Sequence, residues 1–318
     1  MSYATQSQTN ITVGWSLLAR VMLSTLTTVP CCVFLFINGV MLFTLRSKTV
    51  FRETSRYILL FNLLLAETIQ MVLGQLLYLL AASTIRLTYP VCGVLILFSS
   101  LTTSVSPLTL VVMSLERYVA VCYPLRHSAI ITIRNTAVAI IVVWTFSSLN
   151  ILTSVLLLLE FTFEDLESLQ MKDFCAMNNM FLDPMSEQYD KAYTCFLFVS
   201  AGTVVTSSYI GVMIAARSAS TDKASAQKAR NTLLLHLVQL GLSLVSTMHN
   251  SMLIALSRIV TRIVFVRSQT VFYVCIIIFP RCLSSLIYGI KDHTIRPVLM
   301  YHLCCRLKLS VVSAKVSC

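Results

Sequence analysis

Charged side chains are what this chain has least of. Of its 318 residues, 12% are Asp, Glu, Lys or Arg against 57% that are apolar, and the mean hydropathy is +0.81. A soluble domain carries roughly a quarter of its residues as charges. The few present here could not cover a surface, so a large soluble helical protein is excluded on composition. The chain also lacks internal repeats, low-complexity tracts and any stretch polar enough for a separate soluble domain. Paired repeats with broken half-helices, the mark of many transporters, are missing, which leaves a transporter or channel as a distant alternative. Within the apolar stretches the ionisable groups are Glu67, Arg281, His236 and His249, too few and too scattered for an intramembrane enzyme. The 11 cysteines include no CxxC spacing, so neither a metal centre nor a cofactor is expected.

What the chain does have is long apolar runs. A bilayer core about 30 Å thick takes roughly 20 apolar residues at 1.5 Å each. Val21–Leu45, Leu87–Leu115, Asn135–Leu159, Ala192–Ala216 and Asn231–Ser257 meet this without a single Asp, Glu, Lys or Arg. Tyr57–Ile85 and Ser268–Ile290 meet it with one charge each, Glu67 and Arg281. The expected fold is therefore an all-α membrane protein, a bundle of seven transmembrane helices. An outer tail would occupy residues 1–19, the bundle 20–290 and a cytoplasmic tail 291–318.

The net charge of +11 invites a nucleic-acid reading, but the basic residues flank the spans. With the N-terminus outside, 16 of the 24 Lys and Arg fall on the cytoplasmic side, as the positive-inside rule requires. The connection Glu160–Lys191 holds eight acidic residues against two lysines and belongs outside. Arg258, Arg262 and Arg267 stand against this orientation, and the short inner loops outvote them. No basic leader with a cleavage site precedes span one, which is expected to act as an uncleaved signal anchor. Asn10-Ile11-Thr12 is the only glycosylation sequon and lies in the outer tail.

After span seven, Asp292–Leu303 reads as a short amphipathic helix on the inner membrane face. Cys304 and Cys305 follow it and are candidate palmitoylation sites, the alternative being unmodified thiols. Most other cysteines lie in apolar spans, where they pack as small hydrophobes. Cys92, at the outer start of span three, and Cys175, in the acidic outer loop, both face an oxidising compartment and can bridge, with Cys195 competing for either partner.

Span three ends in Glu116-Arg117-Tyr118, inside the run Met113-Ser-Leu-Glu-Arg-Tyr-Val-Ala-Val-Cys-Tyr-Pro-Leu-Arg126. This run resembles the odorant-receptor signature MAYDRYVAICxPLRY. Cys92 precedes Arg117 by 25 residues, and Asn38, Leu65-Ala66-Glu67, Trp144, Ser208-Tyr209, Lys228-Ala229 to His236-Leu237 and Pro280 to Tyr288 add further matches. On these residues the chain resembles a rhodopsin-like (class A) G-protein-coupled receptor over nearly its full length, and most nearly the fish odorant receptors of the 131-2-like group. It departs from the broader family in span six, which has no CWxP, and in span five, which has no central proline. Ser284-Ser285 also stands where the family has Asn-Pro.

The resemblance implies a chemosensory receptor that takes a small odorant or other chemical ligand on its outer side and a heterotrimeric G protein on its inner side. A class A receptor for a non-odour signal is the alternative. A membrane arginine is costly unless paired, and Glu116 is the adjacent partner of Arg117. Breaking that pair would open an inner cleft, where the resemblance places Tyr118, Pro124, Leu125, Tyr209, Tyr288 and the stretch Lys223–Arg230. The family's outer cavity implies ligand contacts from Ser99, Ser100, Thr103, Ser104, Tyr193, Thr194, Thr247, Met248, Ser251 and Tyr273. That lining of hydroxyls suits a weakly polar molecule, unless the hydroxyls merely bond their own helices. Amine receptors carry an aspartate where Ser99 stands, so a charged amine is not expected. Many class A receptors hold sodium on a span-two carboxylate, the position matching Glu67, with Ser106 and Ser284 as neighbours. Arg281 is placed to face that site as a tethered cation, the alternative being a protonated Glu67 with Arg281 turned to water or a carbonyl.

Overall fold

A computed structural model describes residues 2–83, 85–162, 170, 175, 184–218, 227, 231, 234–235, 237–238, 241–242, 245–246, 259, 271–292 and 294–302. Hydrocarbon offers backbone N–H and C=O groups no partners, so a crossing segment must satisfy its own as a helix. The membrane elements follow: α1 Ser2–Ser47, α3 Ser55–Ala82, α4 Tyr89–Cys122, α6 Ile133–Thr162, α7 Pro184–Ser218 and α8 Phe279–Lys291. Two short helices complete the inner loops, α2 Thr49–Arg52 and α5 His127–Ile130, and residues 295–302 form the described part of α9. Among the described residues five helices are long and apolar enough to cross a membrane, and Tyr273–Gly289 is a shorter apolar one. The described positions between 227 and 246 are all helical, in keeping with a sixth span there. The fold is the expected all-α bundle of membrane-spanning helices. α4 runs past the Glu-Arg-Tyr tripeptide to Cys122, so Arg117 is held inside a helix rather than at its frayed end.

Lipid tails are as apolar as leucine, so helices in a bilayer are held by close packing and polar cross-links. The main packed cluster lies in the inner half, where Met41, Leu60, Leu63, Leu64, Leu110 and Met113 meet Tyr288, Ile295 and Leu299. The cross-links run span to span. Asn62 Nδ2 donates to Thr109 Oγ1 at 3.0 Å while Trp144 Nε1 donates to Asn62 Oδ1 at 2.9 Å, joining α3, α4 and α6. Gln75 Nε2 donates to Thr28 Oγ1 at 2.9 Å, joining α3 to α1. Tyr189 Oη donates to Asn150 Oδ1 at 3.0 Å, joining α7 to α6.

Span seven is irregular for a reason legible in its residues. Pro280 has no N–H for the helix ladder, and Tyr273–Ile278 just before it is wound as a π-turn. Where the family pattern has proline, Ser285 keeps its N–H, so α8 continues unbroken to Lys291. Ser285 also donates its hydroxyl proton to Asn38 Oδ1, tying span seven to span one. On the outer side Cys92 is disulfide-bonded to Cys175, and Thr88 makes an antiparallel bridge to Gln170. Two tethers therefore hold the acidic loop to the start of α4, and Cys195 is a free, exposed thiol.

Candidate functional site

At the inner end of α4, Arg117 Nε lies 3.2 Å from Glu116 Oε2. The distance is that of an ion pair, but the angle is poor, since neither Nε nor Nη2 of Arg117 has a hydrogen-bond partner among the described residues. Glu116 Oε1 also has His127 Nε2 at 3.9 Å, an attraction only when that imidazole is protonated. The pair is thus a loose clasp on a partly buried guanidinium, able to open without breaking a dense network. The Tyr118 ring packs so tightly on α7 that a Cβ at Gly211 would collide with it. Next comes a 3-10 turn, Pro124–Arg126, with Leu125 97% exposed. A leucine standing alone in solvent at the foot of the bundle is a ready anchor for an apolar pocket on a partner.

A second inner cluster was not foreseen from the sequence. Asp292 Oδ2 lies 3.1 Å from Arg56 Nη2, and Tyr57 Oη donates to both carboxylate oxygens, at 3.3 and 3.4 Å. The same carboxylate caps α9, accepting from the backbone N–H of Thr294 at 2.9 Å and Ile295 at 3.3 Å. Arg56 lies over the rings of Tyr57 and Tyr288, 5.7 and 5.6 Å from their centroids. Asp292 therefore joins the start of span two, the end of span seven and the surface helix, directly above the buried Tyr288. An aspartate just ahead of a helical run is a capping signal, and it could have been read as one.

Within the membrane, Glu67, Gln70, Thr103, Ser106, Ser246, Pro280 and Arg281 line one cavity of about 10 Å³. Both charges expected to meet are on its wall, and both are buried. Arg281 donates from Nη1 to Ile277 O at 2.7 Å and from Nη2 to Ser246 Oγ at 3.3 Å. Gln70 Nε2 donates to Thr103 Oγ1 beside it. Ser106 lines the cavity as expected, and the side chain of Ser284 lies outside the description.

The described residues expected to take ligand stand on spans three, five and seven, with Ser104 of α4 facing Tyr193 of α7. Thr103 belongs to the Glu67 cavity, and its hydroxyl donates to Ser99 O at 2.8 Å, as Ser104 does to Ser100 O at 3.2 Å. Tyr193 is stacked between Phe146 and Tyr189, with centroids 6.2 and 6.4 Å away. Tyr273 stacks on Tyr78 of span two at 5.0 Å. Thr194 is half-buried on α7, as is Tyr209 at its inner end. Thr247, Met248, Ser251, Lys223, Lys228, Arg230, Cys304 and Cys305 lie outside the described residues, as does the side chain of Asn10.

Residues 37–305 match the model of the 7 transmembrane receptor (rhodopsin family). The chain is 31% identical to Odorant receptor 131-2 of Danio rerio over 274 residues, 86% of this chain and 83% of that protein. It is 46% identical to the human Olfactory receptor 2A1/2A42 over 56 residues, 18% of each. The apolar helices, the outer disulfide and the inner Glu-Arg-Tyr site agree with these likenesses, and the chain belongs to the rhodopsin family of seven-transmembrane receptors, multi-pass membrane proteins that are receptors and not enzymes.

Proposed function

We propose that this receptor is an odorant receptor. It binds a small, weakly polar molecule in the outer half of the bundle and activates a heterotrimeric G protein through Glu116, Arg117 and Tyr118. The observation that carries the coupling half is the loose Glu116–Arg117 pair standing beside the fully exposed Leu125. The odorant half is supported by the likeness to Odorant receptor 131-2 of Danio rerio over most of both chains.

In this reading Tyr193 and Tyr273 present their phenol hydroxyls to the ligand, and the hydroxyls of Ser99, Ser100, Ser104 and Thr194 hydrogen-bond to it, Ser104 giving up its bond to Ser100 O. Thr247, Met248 and Ser251 complete the lining from span six. The partner's apolar pocket takes Leu125, with Pro124, Tyr209 and the basic stretch Lys223–Arg230 around it, while Tyr288 moves as span seven responds. A glycan on Asn10 and acyl chains on Cys304 and Cys305 fix the outer tail and α9 to their sides of the plasma membrane of olfactory sensory neurons.

The test is a panel of small odorants applied to cells that express the full chain and report cyclic AMP, with in situ detection of its transcript in olfactory epithelium. A dose-dependent response together with olfactory expression supports the proposal. Expression confined to other tissues would favour a receptor for a non-odour signal.

A further inference from the structure

The cavity lined by Glu67 and Arg281 is too small for an odorant and too charged to stay empty. Its volume of about 10 Å³ is at the lower limit for one water molecule. Glu67 is 4% exposed and Arg281 9%, and they come from different spans. A lone carboxylate or guanidinium this deep is strongly disfavoured, and opposite charges sharing one small cavity relieve both. The Arg281 guanidinium cannot swing away easily, because Nη1 is held by Ile277 O and Nη2 by Ser246 Oγ. Ser106 Oγ is buried on the same wall with no hydrogen-bond partner among the described residues. One water there has the hydroxyl, the carboxylate and the guanidinium as partners, which is the number a buried water usually finds.

We propose that Arg281 is the built-in counter-cation of Glu67, so that the interior of this receptor takes one water molecule and no metal cation. A metal ion entering so small a space would face a fixed like charge in a medium of low dielectric constant. Arginine is suited to the role because it stays charged at every physiological pH. The π-turn ahead of Pro280 delivers the side chain to the cavity wall, and π-turns commonly mark sites of this kind. Because Ser246 accepts from the same guanidinium, the counter-charge also joins span six to spans two and seven.

The test uses the full-length receptor in lipid nanodiscs. Its melting temperature is read in sodium chloride and in choline chloride at equal ionic strength, so no odorant is needed. The wild type is expected to melt at the same temperature in both salts. Glu67→Gln and Arg281→Met should each lower it by roughly 5–10 °C, and the double variant should regain most of that loss. Arg281→Met should also become more stable in sodium than in choline, because its carboxylate then lacks a cation. Where a single variant does not reach the membrane, surface abundance replaces melting, and the double variant should exceed both singles. A wild type stabilised by sodium, or a double variant no better than the worse single, would overturn the proposal.

Discussion

The Asp292 cluster makes the sharpest structural prediction. Replacing Asp292 with asparagine keeps an oxygen to cap α9 but removes the charge that Arg56 faces at 3.1 Å. The Asp292 side chain is 5% exposed and that of Arg56 26%, so the pair is neither fully buried nor fully screened. A charge-assisted hydrogen bond contributes about 1.5–3 kcal/mol, and screening at the Arg56 end brings this to about 1–2 kcal/mol. Asp292→Ala also loses the cap, about 1 kcal/mol more. Expected losses are thus about 1–2 kcal/mol for Asn and about 2–3 kcal/mol for Ala. At roughly 2–4 °C per kcal/mol, these are shifts of a few degrees for Asn and several for Ala. A thiol-reactive dye can report melting in detergent, since Cys31 and Cys282 are buried free thiols that unfolding exposes. Arg56→Met combined with Asp292→Asn should cost clearly less than the sum of the two. Losses that add within about 0.5 kcal/mol would mean that Arg56 and Asp292 do not interact.

Other perturbations test separate parts of the account. Cys92→Ser and Cys175→Ser should impair surface delivery equally, because either change breaks the same bridge; unequal surface labelling would contradict that. Leu125→Asp should abolish G-protein activation without altering the melting temperature, since its side chain touches little of its own chain; a destabilised variant would assign Leu125 to the fold instead. Ser285→Pro, which restores the family proline, should cost about 3 kcal/mol, since it deletes a helical N–H and also the bond to Asn38. An unchanged melting temperature would show that span seven tolerates the kink.

The spans and the inner site were legible because both are written in local patterns. Apolar length fixes a crossing helix wherever it sits, and Glu116-Arg117 are neighbours in sequence as well as in space. The outer disulfide was legible only as one pairing among alternatives, and the bonded Cys92 and Cys175 remove Cys195 from the choice. That Glu67 and Arg281 would share a site followed from the rule that buried charges need partners, and the two line one cavity, where Arg281 also takes the backbone carbonyl that the alternative reading offered it. The Asp292 cluster is not legible in sequence because Tyr57 and Asp292 are 235 residues apart, and nothing local distinguishes Arg56 from the other basic residues on the inner side. The ligand lining is the least legible part. Serine and threonine in a helix can bond their own carbonyls, as Thr103 and Ser104 do, so hydroxyl content alone points to no cavity.

The central claim is that an odorant bound outside is read out inside through Arg117. The direct measurement compares wild type with Arg117→Ala, matched for surface density by antibody labelling, in cells that report cyclic AMP while an activating odorant is titrated. The account predicts a dose-dependent rise for the wild type and none for Arg117→Ala, with odorant binding retained. A normal response from Arg117→Ala at equal surface density would contradict it.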